Sequence, residues 1–140
     1  YIDNQFSEKY KTTVGVSIST KKLQIKNIEL SLVIWDVAGF EQENHYINYL
    51  RGVQGLIWVV DGTEPESLSI LEIISQSIPE ITKIPSLCFV NKCDLVDQWV
   101  IGDKELLQLK ETFKIVLNTS AKTGENVEVG FQRLAEILIT

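Results

Sequence analysis

Two of the short apolar runs in the sequence limit the folds open to the chain more than any other feature. They are Leu56 to Val60 and Leu87 to Val90. A strand with one face in water alternates apolar and polar residues, whereas a continuous apolar run is typical of a strand covered on both faces. Helical spacing appears after these runs, and the last helical stretch places Val127, Phe131 and Leu134 on one face. Strands alternating with helices predict an α/β fold with a mostly parallel sheet.

The remaining elements follow from local patterns. Strands are expected at Val14 to Ile25, Ile28 to Trp35 and Lys114 to Leu117, and helices after Glu66, near Asp103 to Glu111 and from Val127 to Leu138. Between the first two strands we expect a tight turn at Lys26-Asn27, since asparagine tolerates the left-handed backbone. Thr63 and Glu66, with Pro65 between them, predict a capping box at the start of a helix.

Composition sets the broad class of the protein. The 140 residues suit one domain, and the formal net charge of −6 argues against sequence-independent nucleic-acid binding. No apolar run approaches the ~20 residues that a membrane span needs. Only two cysteines are present, and we expect both to be free thiols in a reducing compartment, which favours a cytoplasmic location.

Ligands of parallel α/β sheets bind at the carboxyl ends of the strands, so the loops that follow the strands are the candidate site. Asp36 ends one strand, and a carboxylate there can hold Mg²⁺, usually through water. Gly39 follows three residues later and allows its backbone N–H to approach an anion. A plain Asp-plus-Gly turn is the alternative interpretation.

A second candidate segment, Asn91-Lys92-Cys93-Asp94, follows a buried strand. The Asp94 carboxylate can accept two hydrogen bonds from guanine, which offers N1–H and an exocyclic amine side by side. Adenine lacks this donor pair and would leave a buried carboxylate unpaired, at a high cost. Asn91 can hold the loop, and the methylene stem of Lys92 can lie on the base. The alternative is an ordinary polar turn.

Two weaker segments complete the pattern. Ser120 and Ala121 precede Lys122 after the next strand, where a backbone N–H could face a base carbonyl. Thr13 stands before the first strand, where its hydroxyl could bind Mg²⁺. Taken singly, both segments are as well explained by common loop and strand-start residues.

In their order along the chain, these elements resemble the Ras superfamily of small GTPases, and most of all the Rab-like branch, including bacterial Rab-like GTPases. The matching runs are YKTTVG, WDVAG, YLRG, NKCD and TSAKTGENV. The resemblance implies an α/β P-loop NTPase-type G domain over residues 1–140. Such a domain has a mostly parallel sheet, helices on both faces and one antiparallel hairpin.

The resemblance also implies roles for individual residues. At the phosphate end, Thr13 and Asp36 would hold Mg²⁺, and Gly39 would donate to the γ-phosphate. At the base end, Asn91 and Asp94 would recognise guanine, and Ser120 and Ala121 would support that site. Lys92 and Lys122 would cover the two faces of the base. The implied ligands are GTP or GDP with Mg²⁺. Effector and regulator proteins would bind the switch segments Tyr10 to Gly15 and Gly39 to Arg51.

The sequence departs from this family first in its phosphate-binding motif. The family has G-x-x-x-x-G-K-[ST], but none of the eight glycines here is followed by Lys-Ser or Lys-Thr. Either the sequence begins after that loop and its strand, or the protein is a pseudo-GTPase that lacks them. The missing strand is central in the family, so residues 1–140 alone are expected to fold poorly and to bind nucleotide weakly.

A second departure is Phe40, which stands where the family usually has a glutamine that orients the attacking water. Gln42 lies two residues further on and could take over this role. A third is the C-terminus, where no cysteine is available for prenylation.

Two functions remain in competition. The first is a switch that binds GTP and Mg²⁺ and hydrolyses GTP slowly. The second is an interaction module on the same fold that does not hydrolyse, or does not bind, nucleotide. The chain could also be one G domain of a larger protein.

Overall fold

The computed structural model describes residues 16–37 and 46–140. The described strands are β1 (Val16–Ile25), β2 (Ile28–Val37), β3 (Leu56–Asp61), β4 (Ser86–Asn91) and β5 (Val116–Asn118). The helices are α1 (Tyr46–Tyr49), α2 (Glu66–Ser77), α3 (Asp103–Thr112) and α4 (Val127–Leu138), with short 3-10 helices at Pro79–Lys83 and Val96–Gln98.

Strands β3, β4 and β5 form a parallel sheet with β4 in the centre. The residues of β4 alternate between two cores. Cys88 and Val90 pack with the side chains of α2 and α3, whereas Leu87 and Phe89 pack with those of α4. Helices therefore cover both faces of β4, which explains why its residues Leu87 to Val90 are all apolar. The same expectation was wrong for part of β3, because Val59 in its apolar run is 63% exposed. The predicted α/β fold is confirmed.

Strands β1 and β2 form the expected antiparallel hairpin, with a register from Val16 opposite Val37 to Ile25 opposite Ile28. The turn lies at Lys26 and Asn27 as predicted. The residue with the positive φ, at 56°, is however Lys26 and not the expected Asn27. The register makes Lys26 the first of two turn residues, and tight hairpin turns that follow the strand twist need a positive φ at that position.

Helix α4 joins the hairpin to the parallel sheet. Its buried Ala135 packs with Leu23 and Ile25 of β1, while its Leu134 packs with Leu87 of β4. Phe131 contacts both clusters. The apolar face expected for the last helix is thus shared between two sheets.

The start of α2 differs from the expected capping box. The helix begins at Glu66 after Pro65, and no side chain caps it. Thr63 instead contacts a residue earlier in the chain, since both its N–H and its hydroxyl donate to Asp61 Oδ1, at 2.9 and 2.6 Å. The Asp61 carboxylate therefore accepts the Thr63 N–H that a capping box would pair with the Glu66 carboxylate.

The other boundaries are close to those expected. Strand β5 begins two residues later than predicted, at Val116, although the Ile115 carbonyl already accepts a hydrogen bond from the Cys88 N–H. Within the part of the chain that the structure describes, no helix is long and apolar enough to cross a membrane.

Candidate functional site

The loops that follow β4 and β5 are tied together by backbone hydrogen bonds. The Thr119 N–H donates to the Val90 carbonyl at 2.8 Å, and the Cys93 N–H donates to the Thr119 carbonyl at 3.0 Å. Adjacent parallel strands end at the same edge of a sheet, so the two loops predicted to carry the site meet there.

Asn91 links these loops through its side chain. Its Oδ1 accepts from the Ala121 N–H at 3.0 Å and from the Thr119 hydroxyl at 3.3 Å. Both contacts use the oxygen, so the amide nitrogen is the group that can donate to a ligand. The Ala121 N–H, expected to face a base carbonyl, is engaged by Asn91.

Asp94 is held by a buried hydroxyl. The Ser120 Oγ donates to Asp94 Oδ1 at 2.6 Å and accepts from the Thr123 N–H at 3.1 Å. Ser120 is fully buried, which leaves its hydroxyl little freedom to turn away. A carboxylate has about four acceptor positions. The bond from Ser120 therefore orients Asp94 and leaves capacity for two further donors.

Lys92 follows β4, but its side chain extends to the end of the neighbouring strand β3. Its ammonium forms an ion pair with Asp61, with 2.5 Å between Nζ and Oδ2. The Lys92 backbone has a φ of 71°, in the left-handed region that non-glycine residues seldom adopt. The candidate site thus contains a carboxylate that no motif predicted, at the end of β3 after the apolar run Leu56 to Val60.

The charge of Asp61 is stabilised by its contacts. Burial favours the neutral acid, but Lys92 and the two donors of Thr63 outweigh it and lower the pKa of Asp61 below its ordinary value. The carboxylate is therefore ionised at neutral pH, as the ion pair requires.

The loop that follows β3 is fixed by Trp99. Gly62 lies so close to the indole ring that an added Cβ would stand 2.1 Å from Trp99 Cζ3. The Trp99 Nε1–H donates to the Ile101 carbonyl at 2.8 Å, and the Val100 N–H donates to the Gly62 carbonyl at 2.9 Å. The chain after Asp94 therefore packs back against the residue after Asp61.

Lys122 lies exposed in the loop after β5. This loop is closed by the Gly124 N–H donating to the Ser120 carbonyl at 2.8 Å and by the Ser120 N–H donating to the Glu125 carbonyl at 3.1 Å. Because this loop follows β5 and Lys92 follows β4, the Lys122 backbone lies at the same edge of the sheet as Lys92.

The expected phosphate and metal residues are only partly within the described chain. Asp36 is exposed near the end of β2, opposite Ser17. Thr13, Gly39, Phe40 and Gln42 lie outside the described residues. No group of three or more His, Cys, Asp or Glu suited to a metal occurs in residues 16–37 and 46–140. A lone carboxylate still fits Mg²⁺ bound to a nucleotide, because that ion takes most of its ligands from phosphate and water.

Comparison with known proteins relates the chain to a single protein family. The sequence profile of the Ras family matches residues 1–140. The chain is 36% identical over 143 residues to the Ras-related protein Rab-1 of Theileria annulata, covering 99% of this chain and 65% of the relative. It is 32% identical to Rab-4 of Dictyostelium discoideum (100% of this chain, 70% of the relative) and 33% identical to Rab-7b of Mus musculus (96% and 71%).

The chain thus spans about two thirds of the length of these relatives. The family profile nevertheless covers the whole sequence, and the described elements follow the α/β order expected from the motifs. This protein belongs to the Ras family and is a Rab-like member of it.

Proposed function

We propose that this protein is a molecular switch that binds GTP or GDP with Mg²⁺ and hydrolyses GTP slowly. The observation that carries the proposal is the Asp94 carboxylate, oriented by buried Ser120 at the edge of the sheet where Asn91 also lies. Membership of the Ras family supports the same function.

In this proposal Asp94 recognises guanine by accepting from N1–H and the exocyclic amine. Ser120 orients the carboxylate before the base arrives, which reduces the ordering cost of binding. The Asn91 amide nitrogen donates to the base edge, and the base carbonyl shares the Ala121 N–H with Asn91 Oδ1 in a three-centre hydrogen bond. The stems of Lys92 and Lys122 cover the base faces.

The phosphate end of the proposed site depends on Thr13, Asp36 and Gly39. Thr13 and Asp36 hold the Mg²⁺ ion, which neutralises phosphate charge when bound. Gly39 donates its N–H to the terminal phosphate. The switch segments Tyr10 to Gly15 and Gly39 to Arg51 are ordered by these contacts and released on hydrolysis, so that effectors bind the GTP state. The two free thiols fit a protein of the reducing cytoplasm.

The experiment is a comparison of nucleotide affinities by calorimetry, with protein expressed from its complete reading frame. We expect GTP and GDP to bind at least about a thousandfold more tightly than ATP and ADP, because adenine cannot satisfy Asp94. Asp94→Asn should lose affinity for GDP and gain affinity for xanthosine diphosphate, which presents an acceptor where guanine has its amine.

Asp97→Asn is the matched control, since Asp97 is an exposed acid three residues further along. It removes the same charge and should leave the guanine preference unchanged. Equal affinity of the wild-type protein for GDP and ADP would contradict the proposal. Tight GDP binding without any single-turnover hydrolysis would support the non-hydrolysing module instead.

A further inference from the structure

Asp61 has no part in the base recognition proposed above, yet it lies at the same edge of the sheet. It ends β3 directly beside Asn91, the last residue of β4. Its side chain is only 19% exposed, and that of Lys92 is 38% exposed. The carboxylate is therefore largely sheltered from water, whereas the lysine side chain stays partly accessible.

We propose that Asp61 is a positioning residue of the nucleotide site, which holds Lys92 in the orientation that covers one face of the base. The inference rests on the proposed function, since it presumes that a guanine nucleotide binds beside Lys92. Asp61 contacts the lysine ammonium and acts on the ligand only through that side chain.

The carboxylate is well placed to hold a lysine because its own orientation is fixed. Thr63 donates to Oδ1 through both its N–H and its hydroxyl, which leaves Oδ2 directed at the Lys92 ammonium. The Asp61 N–H donates to Ser67 Oγ at 2.8 Å, so the start of α2 anchors the same residue.

The backbone connects the two partners as well. The Gly62 N–H donates to the Asn91 carbonyl at 2.9 Å, which joins the residue after Asp61 to the residue before Lys92. The ion pair thus stretches the lysine stem from the end of β4 to the end of β3. An unpaired lysine has many rotamers, and immobilising one on binding reduces affinity by about two- to tenfold.

The test is a double-mutant cycle on GDP affinity, measured with protein from the complete reading frame. Asp61→Asn retains an oxygen for the Thr63 donors but loses the charge, and it should weaken GDP binding about three- to tenfold. Lys92→Ala removes the stem and should weaken binding further. In the Lys92→Ala background, Asp61→Asn should have no additional effect, because the residue through which it acts is gone.

Glu64→Gln is the control, since Glu64 is an exposed acid in the same loop. It should bind GDP as wild type does. Thermal melting of each variant without nucleotide measures any loss of fold. A purely structural role for Asp61 would weaken GDP binding equally in both backgrounds, and that result would overturn the proposal.

The two proposals fail in different ways. If the wild-type protein does not prefer GDP to ADP, the proposed function is wrong and this inference falls with it. If the wild-type protein prefers GDP but Asp61→Asn binds GDP as tightly as wild type, only the positioning role of Asp61 is wrong.

Discussion

Ser120 illustrates how a single buried residue orients its neighbour in the candidate site. Its side chain is completely buried, and its hydroxyl both donates to Asp94 and accepts from the Thr123 N–H. A buried hydroxyl without partners would be costly, so the two contacts that satisfy it also determine where Asp94 points. The same hydrogen bonds therefore stabilise the loop and orient the Asp94 carboxylate.

A prediction at this scale concerns Phe40, which cannot hydrogen-bond to an attacking water. Loss of one positioned hydrogen bond slows a reaction about 10- to 1000-fold. We expect Phe40→Gln to accelerate single-turnover GTP hydrolysis, because it restores the missing side chain. Gln42→Ala should slow hydrolysis if Gln42 has taken over that role.

Rapid-quench measurement of phosphate release from preloaded protein distinguishes these effects from nucleotide exchange. Gln54→Ala, at an exposed position before β3, serves as the control for general effects on the fold. A change of less than about twofold in both variants would mean that side chains of this segment do not limit hydrolysis, contrary to our interpretation of Phe40.

At the scale of elements, the contact between α4 and β4 depends on Gly130. A Cβ at this position would lie 2.1 Å from Phe89 Cε1 and 2.2 Å from Cζ. The Phe89 ring is itself buried and meets Phe131 edge-on, with 6.1 Å between the ring centroids. The glycine therefore lets the helix approach the sheet closely enough to fill the space beside Phe89.

We predict that Gly130→Ala destabilises the protein by about 1–3 kcal/mol, because the ring has no room to move aside. The sign is opposite to that in an open helix, where alanine is better than glycine by about 0.8–1 kcal/mol. Urea unfolding followed by circular dichroism measures the difference.

Gln132→Ala, at an exposed position of the same helix, should change the free energy of unfolding by less than about 0.5 kcal/mol. Adding Phe89→Leu to Gly130→Ala should reduce the additional cost of the alanine, since the smaller side chain relieves the clash. An unchanged or increased stability of Gly130→Ala alone would show that the ring can be accommodated elsewhere.

At the scale of the whole molecule, the central strand β4 is shielded from solvent on both of its faces. Leu87, Cys88 and Val90 have no exposed surface. Burial raises the pKa of Cys88 to about 12. Burial, and then the Glu125 carboxylate, also raise the pKa of the half-buried Cys93, whose thiol donates to Glu125 Oε2 at 3.6 Å.

These thiols provide a measure of global opening. The thiolate is the reactive form, so a raised pKa slows modification at neutral pH and makes the rate rise with pH. We expect a thiol reagent to modify Cys93 slowly in the folded protein, and Cys88 only when the sheet opens.

In Cys93→Ser protein the modification rate of Cys88 should follow the global free energy of unfolding as urea is added, because exposing β4 requires separation of its helices. Mass spectrometry of the labelled protein gives this rate. Modification of Cys88 in native buffer as fast as that of Cys93 would contradict the closed packing around β4.

The loop after β4 could be identified as a candidate from the sequence because it follows the apolar run Leu87 to Val90, whereas the loop after β5 follows the weaker strand pattern of Lys114 to Leu117. Asn91 ends β4 and Asp94 follows it, while Ser120 and Ala121 follow β5, and strand ends of a parallel sheet share one edge. The order of these motifs also predicted the family that the comparisons then established.

Tertiary structure alone decided which partners these residues take. Two local details also differed from the expected ones, because Thr63 donates to Asp61 two residues earlier in the chain and the hairpin register places the positive φ at Lys26. Asp61 could not be recognised from its own neighbours, because its partner Lys92 follows another strand. Local patterns in the sequence determined the strands, the helices and the candidate loops. Pairings between residues distant in the chain were determined by the alignment of β3, β4 and β5 in one sheet, which brings the ends of these strands together.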